Sequence, residues 1–262
     1  MRADDRLIVT LENGVKRITF NAPERRNAVD RETSRLLLEA VRETAGDESR
    51  VLVLTGTGDA FCAGADLQTQ AMASGSGDEV MEFLRQVVNP TILALREMSK
   101  PVIARVHGAA VGVGCNYALA ADIRIASTQA KFGQVFSKIG LIPDGGSTYF
   151  LPRMIGYAKA FELMATGEIV DARTALALGM VNQVALLDEL DKIVDDWVTR
   201  LCSGPALAIA GIKRALHYGE AHTLSEALDF EAITQRACAA SDDFREGVAA
   251  FREKRKAVFQ GR

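Results

Sequence analysis

Residues 100–126 read KPVIARVHGAAVGVGCNYALAADIRIA. A β-prone apolar run, Val102 to Val106, gives way to a turn of small residues. An apolar segment suited to a helix follows, Gly114 to Ala121, and then a second short apolar run, Ile123 to Ala126. With so little polar surface between them, these read as buried strands alternating with loop and helix. Gly112 and Gly114 suggest a dinucleotide fingerprint, but the position that should then hold Gly or Ala is Tyr117. What remains is a strand entering a tight turn at a helix start, where unbonded N–H groups can hold a partial negative charge. The same glycines equally fit a helix that simply lies close to the sheet.

Working back toward the N-terminus, Asp59 to Leu67 repeats the arrangement. It is a small-residue loop after the buried run Val51 to Leu54, and it offers a second set of backbone donors. Two such turns can converge on one oxygen. A phosphate loop is excluded, because no Lys-Ser/Thr follows the last glycine. Between Asp78 and Met98 the apolar positions Val80, Phe83, Leu84, Val87 and Val88 predict an amphipathic helix opening at Asp78 and kinked at Pro90. Asp30 is placed to cap a helix carrying Leu36, Leu37, Ala40 and Val41. Asn13-Gly14 between two apolar stretches predicts a hairpin at the start of the chain.

Toward the C-terminus, the segment from Phe132 to Thr148 carries a lone carboxylate, Asp144, among apolar neighbours. Pro-Asp-Gly is an ordinary turn, and Asp144 fits the cap of the next helix. In an apolar cleft the same carboxylate would have a raised pKa and accept protons. After Ser203-Gly204-Pro205 helix signals take over, with capping boxes expected at Thr223–Glu226 and Asp243–Glu246. The chain therefore divides into a core, 1–203, and a helical region, 204–262. Apolar positions such as Leu228, Ile233, Phe244 and Phe251 must cover the core or a neighbouring subunit.

Composition removes other classes. The 262 residues carry 31 basic and 34 acidic side chains, so there is no cationic excess to attract a nucleic acid. No apolar run is long enough for a membrane span, and the charged start, with Arg2, Asp4 and Asp5, is not a signal segment, so a cytoplasmic protein is expected. The four cysteines, 62, 115, 202 and 238, are scattered, which favours reduced thiols and no metal site. The three histidines and the missing Gly-x-Ser-x-Gly elbow leave a hydrolase triad without its parts. His107 reads as a core histidine and Cys115 as a small buried hydrophobe.

Taken together, Asn21 to Ala28, Phe61 to Leu67, Lys100 to Asp122, Phe132 to Gly156, Thr166 to Asn182 and Ser241 to Phe251 resemble the crotonase, or enoyl-CoA hydratase/isomerase, superfamily. The resemblance runs over nearly the whole chain. It implies an α/β fold, a spiral of ββα units with a C-terminal helical region that mediates trimerisation, as a trimer or a dimer of trimers. It also implies an acyl-CoA thioester substrate, with coenzyme A as part of the substrate and no separate cofactor. By the same likeness the N–H groups of Ala65 and Val113 form an oxyanion hole, and Arg25, Arg26, Ala28, Ala63, Asp66 and Leu67 line the CoA site.

Departures from the family pattern carry the finer reading. The hydratases place glutamates where this chain has Asn116 and Phe136, and neither an amide nor a phenyl ring does acid–base work at neutral pH. Asp144 survives, and the run from Phe136 to Gly146 with Leu151-Pro152-Arg153 is most similar to the 1,2-epoxyphenylacetyl-CoA isomerase group. The expectation is an isomerase that shifts a double bond or isomerises a ring epoxide with one Asp base. A hydratase of unusual mechanism, a dehalogenase (with Trp197 misplaced for it) and an idle CoA- or RNA-binding homologue are the rivals. Phe83, Leu84, Val87, Phe136 and Tyr149 are candidates for the acyl pocket.

Overall fold

In the computed structural model, which describes residues 6–68 and 76–261, the chain first reverses at Asn13 and Gly14, both at positive φ. That turn joins β1 (Leu7–Glu12) to β2 (Val15–Phe20) as an antiparallel hairpin, the geometry Asn-Gly favours. The charged start of the chain lies outside the described residues.

From there a unit repeats. β3 (Val51–Gly56) is followed at once by β4 (Ala60–Cys62), β5 (Val102–Val106) by β6 (Ala109–Val111), and β7 (Ile123–Ser127) by β8 (Lys131–Gly133). The chain closes its strands with β9 (Ile169–Asp171) and β10 (Gln183–Ala185). The first strand of each pair enters one sheet, of order β1-β2-β3-β5-β7-β10, and the second enters another, of order β4-β6-β8-β9. Each ββα unit thus moves one place along both sheets in parallel register, which generates the spiral. Val51 to Leu54 and Val102 to Ala104 are fully buried, as the unbroken apolar runs require.

The helices that follow the strands are α1 (Arg31–Gly46), α2 (Gly77–Phe83), α3 (Asn89–Glu97), α4 (Val113–Ala120), α5 (Ser147–Ile155), α6 (Tyr157–Thr166), α7 (Ala172–Ala177) and α8 (Leu190–Cys202). Three more, α9 (Ala206–Gly219), α10 (Leu224–Ala239) and α11 (Asp242–Glu253), complete the chain. Asp30 caps α1 by accepting the N–H of Thr33 at 2.7 Å. Every residue of α4 is buried, so this apolar helix runs through the interior. Lys213 on α9 donates to Asp122 Oδ2 at 2.8 Å and to the carbonyls of Leu95 and Lys100, fixing the first helix of the C-terminal region to the core. Among the described residues, no helix is long and apolar enough to cross a membrane.

Two local expectations are corrected. The helix expected to open at Asp78 starts one residue earlier behind a Ser76–Glu79 capping box. It is divided by a π turn, Leu84–Val88, in which the Asn89 N–H reaches the Leu84 carbonyl. The wider turn gives Pro90 room, since in a regular helix its ring would strike the carbonyl four residues back. The capping box at Thr223–Glu226 is present, but Asp243 caps nothing. Ser241 caps α11, and the Asp243 carboxylate instead accepts the N–H groups of Gln260 and Gly261 at 2.6 and 2.9 Å.

Candidate active site

The site is built where the short strands end. β4 and β6 run side by side in parallel, so the loops that follow them leave the sheet together. Gly64 has φ +98°, and a Cβ there would lie 2.7 Å from the Val111 carbonyl oxygen and 3.6 Å from the Gly112 Cα. Only glycine permits that approach, and it sets the next residues of the two loops, Ala65 and Val113, beside one another. Ala65 is bridged to Val29, but that bridge uses the N–H of Asp66 and the carbonyl of Gly64. The Ala65 N–H has no acceptor among the described residues. Val113 opens α4, so its N–H is one of the helix's unpaired donors and likewise meets no acceptor.

Ala65 and Val113 both line a cavity of about 430 Å³ whose wall also includes Asp144. The loop holding Asp144 is tied down through its backbone. The Asp144 carbonyl accepts Asn116 Nδ2 at 2.8 Å, the Ser147 N–H at 3.1 Å and Ser147 Oγ at 3.0 Å. Asn116, fully buried, in turn accepts Gln134 Nε2 at 2.7 Å. Asn116 is therefore a strut beneath the loop. The carboxylate itself caps no helix, since α5 begins behind Gly146 without a side-chain cap. Its Oδ1 is buried without a hydrogen-bond partner. Burial alone pushes the Asp144 carboxyl up to about 6, because a charge withdrawn from water with nothing to compensate it is disfavoured. The capping role read as one alternative in the sequence is excluded, and the proton-accepting environment is present.

The remaining wall is apolar. Phe83 and Leu84 line it as expected, with Phe136 across from them near the Gly112 turn. Val87 is core, and Val88 takes the wall position. Tyr149 is outside, exposed and donating to Glu220 at 2.9 Å. Of the residues expected along a CoA path, Ala63 and Leu67 line the cavity, whereas Arg25, Arg26, Ala28 and Asp66 do not. They lie immediately behind it, with the Ala63 N–H bonded to the Arg26 carbonyl and Arg25 paired with Asp66 at 3.2 Å. Trp197 is on α8, donating to Gln183. His107 is buried, and burial lowers its pKa, keeping the ring neutral. The Cys115 thiol is pushed up to about 12 by burial and is inert at neutral pH. The sequence reading missed three polar groups on the wall, Arg31, Ser34 and Lys138. A cation in the first turn of α1, against the helix dipole, was the available signal for Arg31.

Residues 10–262 match the family described as Enoyl-CoA hydratase/isomerase. The chain belongs to this family. It is 38% identical to 1,2-epoxyphenylacetyl-CoA isomerase of Escherichia coli over 96% of this chain and 97% of that one. Crotonyl-CoA hydratase of Syntrophomonas wolfei is 37% identical, with 98% of each chain covered. Among solved structures, an enoyl-CoA hydratase subunit of Geobacillus kaustophilus superimposes with TM-score 0.91 at 35% identity over 98% of both chains. The fold is the crotonase spiral, and hydratases and isomerases share it.

Proposed function

We propose that this member of the enoyl-CoA hydratase/isomerase family is an acyl-CoA isomerase with Asp144 as its one base. The observation that carries the reading is the unpartnered Asp144 carboxylate on the wall shared with Ala65 and Val113, while Asn116 and Phe136 occupy the positions where the hydratases place glutamates. A thioester oxygen accepts the N–H groups of Ala65 and Val113. Asp144 removes the C2 proton of a 3-enoyl-CoA, and the electron pair delocalises onto the held oxygen as a dienolate. The protonated Asp144 then delivers that proton to C4, leaving the conjugated 2-enoyl-CoA and a regenerated carboxylate. The two amides stabilise the developing charge, and loss of one such donor costs about 2.7–4 kcal/mol in comparable sites. The same polarised carbonyl suits isomerisation of a ring-epoxide acyl-CoA.

Coenzyme A enters this reading as the substrate's carrier. Arg25, Arg26, Ala28, Ala63, Asp66 and Leu67 border its path. Of the two arginines, Arg26 is the one whose side chain has no ion-pair partner among the described residues. Exposed Leu228, Ile233 and Phe244 on α10 and α11 fit contacts between copies in a trimer or a dimer of trimers, which light scattering would count.

The test is a panel of 3-enoyl-, 2-enoyl- and ring-epoxide CoA thioesters followed by mass and absorbance. Isomer without gain of water, formed about 10²–10⁴-fold more slowly by Asp144→Asn, is expected. A 3-hydroxyacyl-CoA formed from a 2-enoyl-CoA would replace this reading with a hydratase. Binding with no turnover of any thioester would make the chain a carrier-binding homologue.

A further inference from the structure

The cavity wall carries two cations that the reaction above does not use, an exposed Lys138 and a half-buried Arg31, and the second is the unusual one. Arg31 occupies the first turn of α1, and its guanidinium lies over the Phe83 ring, with Cζ 5.2 Å from the ring centroid. Its Nε is buried without a hydrogen-bond partner, and no ion pair or hydrogen bond engages the side chain among the described residues. Acidic neighbours are close in sequence, but each is committed elsewhere. Asp30 caps α1 and faces Arg6 and Arg25, and Glu32 faces Arg35. The position also opposes local preference, since the start of a helix favours acids and repels cations. A half-buried fork of donors, without an ion pair and placed against the helix dipole, breaks a local rule that its stacking on Phe83 offsets only in part, which is where function is expected.

We infer that Arg31 recognises a carboxylate at the far end of the acyl group, making dicarboxylic acyl-CoA thioesters the preferred substrate class. This rests on the reading of the cavity as an acyl-CoA site. Val29 is bridged to Ala65, so their backbones lie about 5 Å apart. Arg31 is two residues further along, at most about 7 Å. Arg31 also lines the same cavity as Ala65 and Val113, so the far end of an acyl chain held at the proposed oxyanion site faces the guanidinium within one enclosure. Around it the wall is Val80, Phe83 and Leu84, apolar surface that grips methylenes and leaves the planar fork to take a carboxylate by paired N–H bonds.

Binding by calorimetry isolates this inference from the chemistry, because saturated thioesters undergo no reaction. Hexanedioyl-CoA is expected to bind the wild type about 10- to 100-fold more tightly than hexanoyl-CoA, the range for a charge-assisted contact. Arg31→Leu should bring that ratio to about one, and Arg31→Lys should restore part of it. The corresponding pantetheine thioesters, which lack the nucleotide phosphates, should show the same ratio. Equal affinities in the wild type overturn the inference. So does a loss in Arg31→Leu that strikes both CoA ligands alike and spares the pantetheine pair, which would assign Arg31 to a carrier phosphate. Failure of isomerisation in the thioester panel leaves the binding ratio untouched, so the two readings fail separately.

Discussion

The two sides of the cavity are made of different material. On one side stand the loops after β4 and β6, where the useful groups are backbone N–H donors held by a glycine contact of the Gly64–Val111 kind. On the other stand side chains: Asp144 on its pinned loop, Phe136, and the wall from Val80 to Val88. The backbone side depends on the fold and tolerates changes of side chain, as long as the glycine remains. The side-chain side can be altered without disturbing the fold, and under the proposed function it sets which proton moves and which acyl group enters. Hydratases and isomerases share one family, and under the proposed function the residues at positions 116 and 136 matter more than overall identity.

The division can be broken from either side. Asp144→Asn keeps shape and removes basicity, and kcat for isomerisation should fall by about 10²–10⁴-fold with little change in KM. Gly64→Ala attacks the backbone side. The added Cβ, 2.7 Å from the Val111 carbonyl, forces the loops apart, and kcat should drop by about 10²–10³-fold in a protein whose circular dichroism is preserved. Asn116→Ala lies between the two. It leaves the Asp144 carbonyl without one of its two side-chain donors and Gln134 Nε2 without its acceptor, so about 1–3 kcal/mol of stability should be lost in urea unfolding. Its kcat should fall about tenfold at nearly constant KM, the pattern of a residue that positions the base.

A smaller effect sharpens the comparison through stability. The Asp144 carboxyl is raised to about 6 in the fold from an ordinary value near 3.9. The folded state therefore binds the proton more tightly than the unfolded chain. Stability linked to this group is fully present below about pH 4 and lost as pH rises through about 6. Asp144→Asn should accordingly be more stable than wild type at neutral pH, by on the order of 2 kcal/mol, with the advantage shrinking as the pH is lowered toward 4. Thermal unfolding at several pH values reads it directly. Least of all, Tyr149→Phe removes an exposed hydrogen bond to Glu220 outside the cavity and should shift neither kcat nor stability beyond about 0.5 kcal/mol.

What was legible in the sequence follows the same division. The long strands, the Asn13-Gly14 hairpin and the Asp30 cap are written locally, in apolar runs and capping side chains. The strands β4, β6 and β8 are three residues each and made largely of small residues, so by themselves they read as loops. Only the resemblance supplied the second sheet. Asp144 stood out as a carboxylate among apolar residues, but choosing between cap and base required seeing that Oδ1 lacks a partner. The link from Asn116 to the Asp144 backbone spans 28 residues, and no local pattern records it. Arg31 was passed over in the sequence, although a cation in the first turn of a helix is a legible anomaly, and its contact with Phe83 arises only where α1 meets α2.

The most direct measurement is the pH dependence of kcat/KM for 3-enoyl-CoA isomerisation, taken in parallel on wild type and Asp144→Asn. A carboxylate that must be ionised to act gives a wild-type rate that climbs through about pH 6 to a plateau, and a residual rate in the variant with no such inflection. A wild-type profile flat across that region, or a variant that keeps both the rate and the inflection, would contradict the assignment of the base.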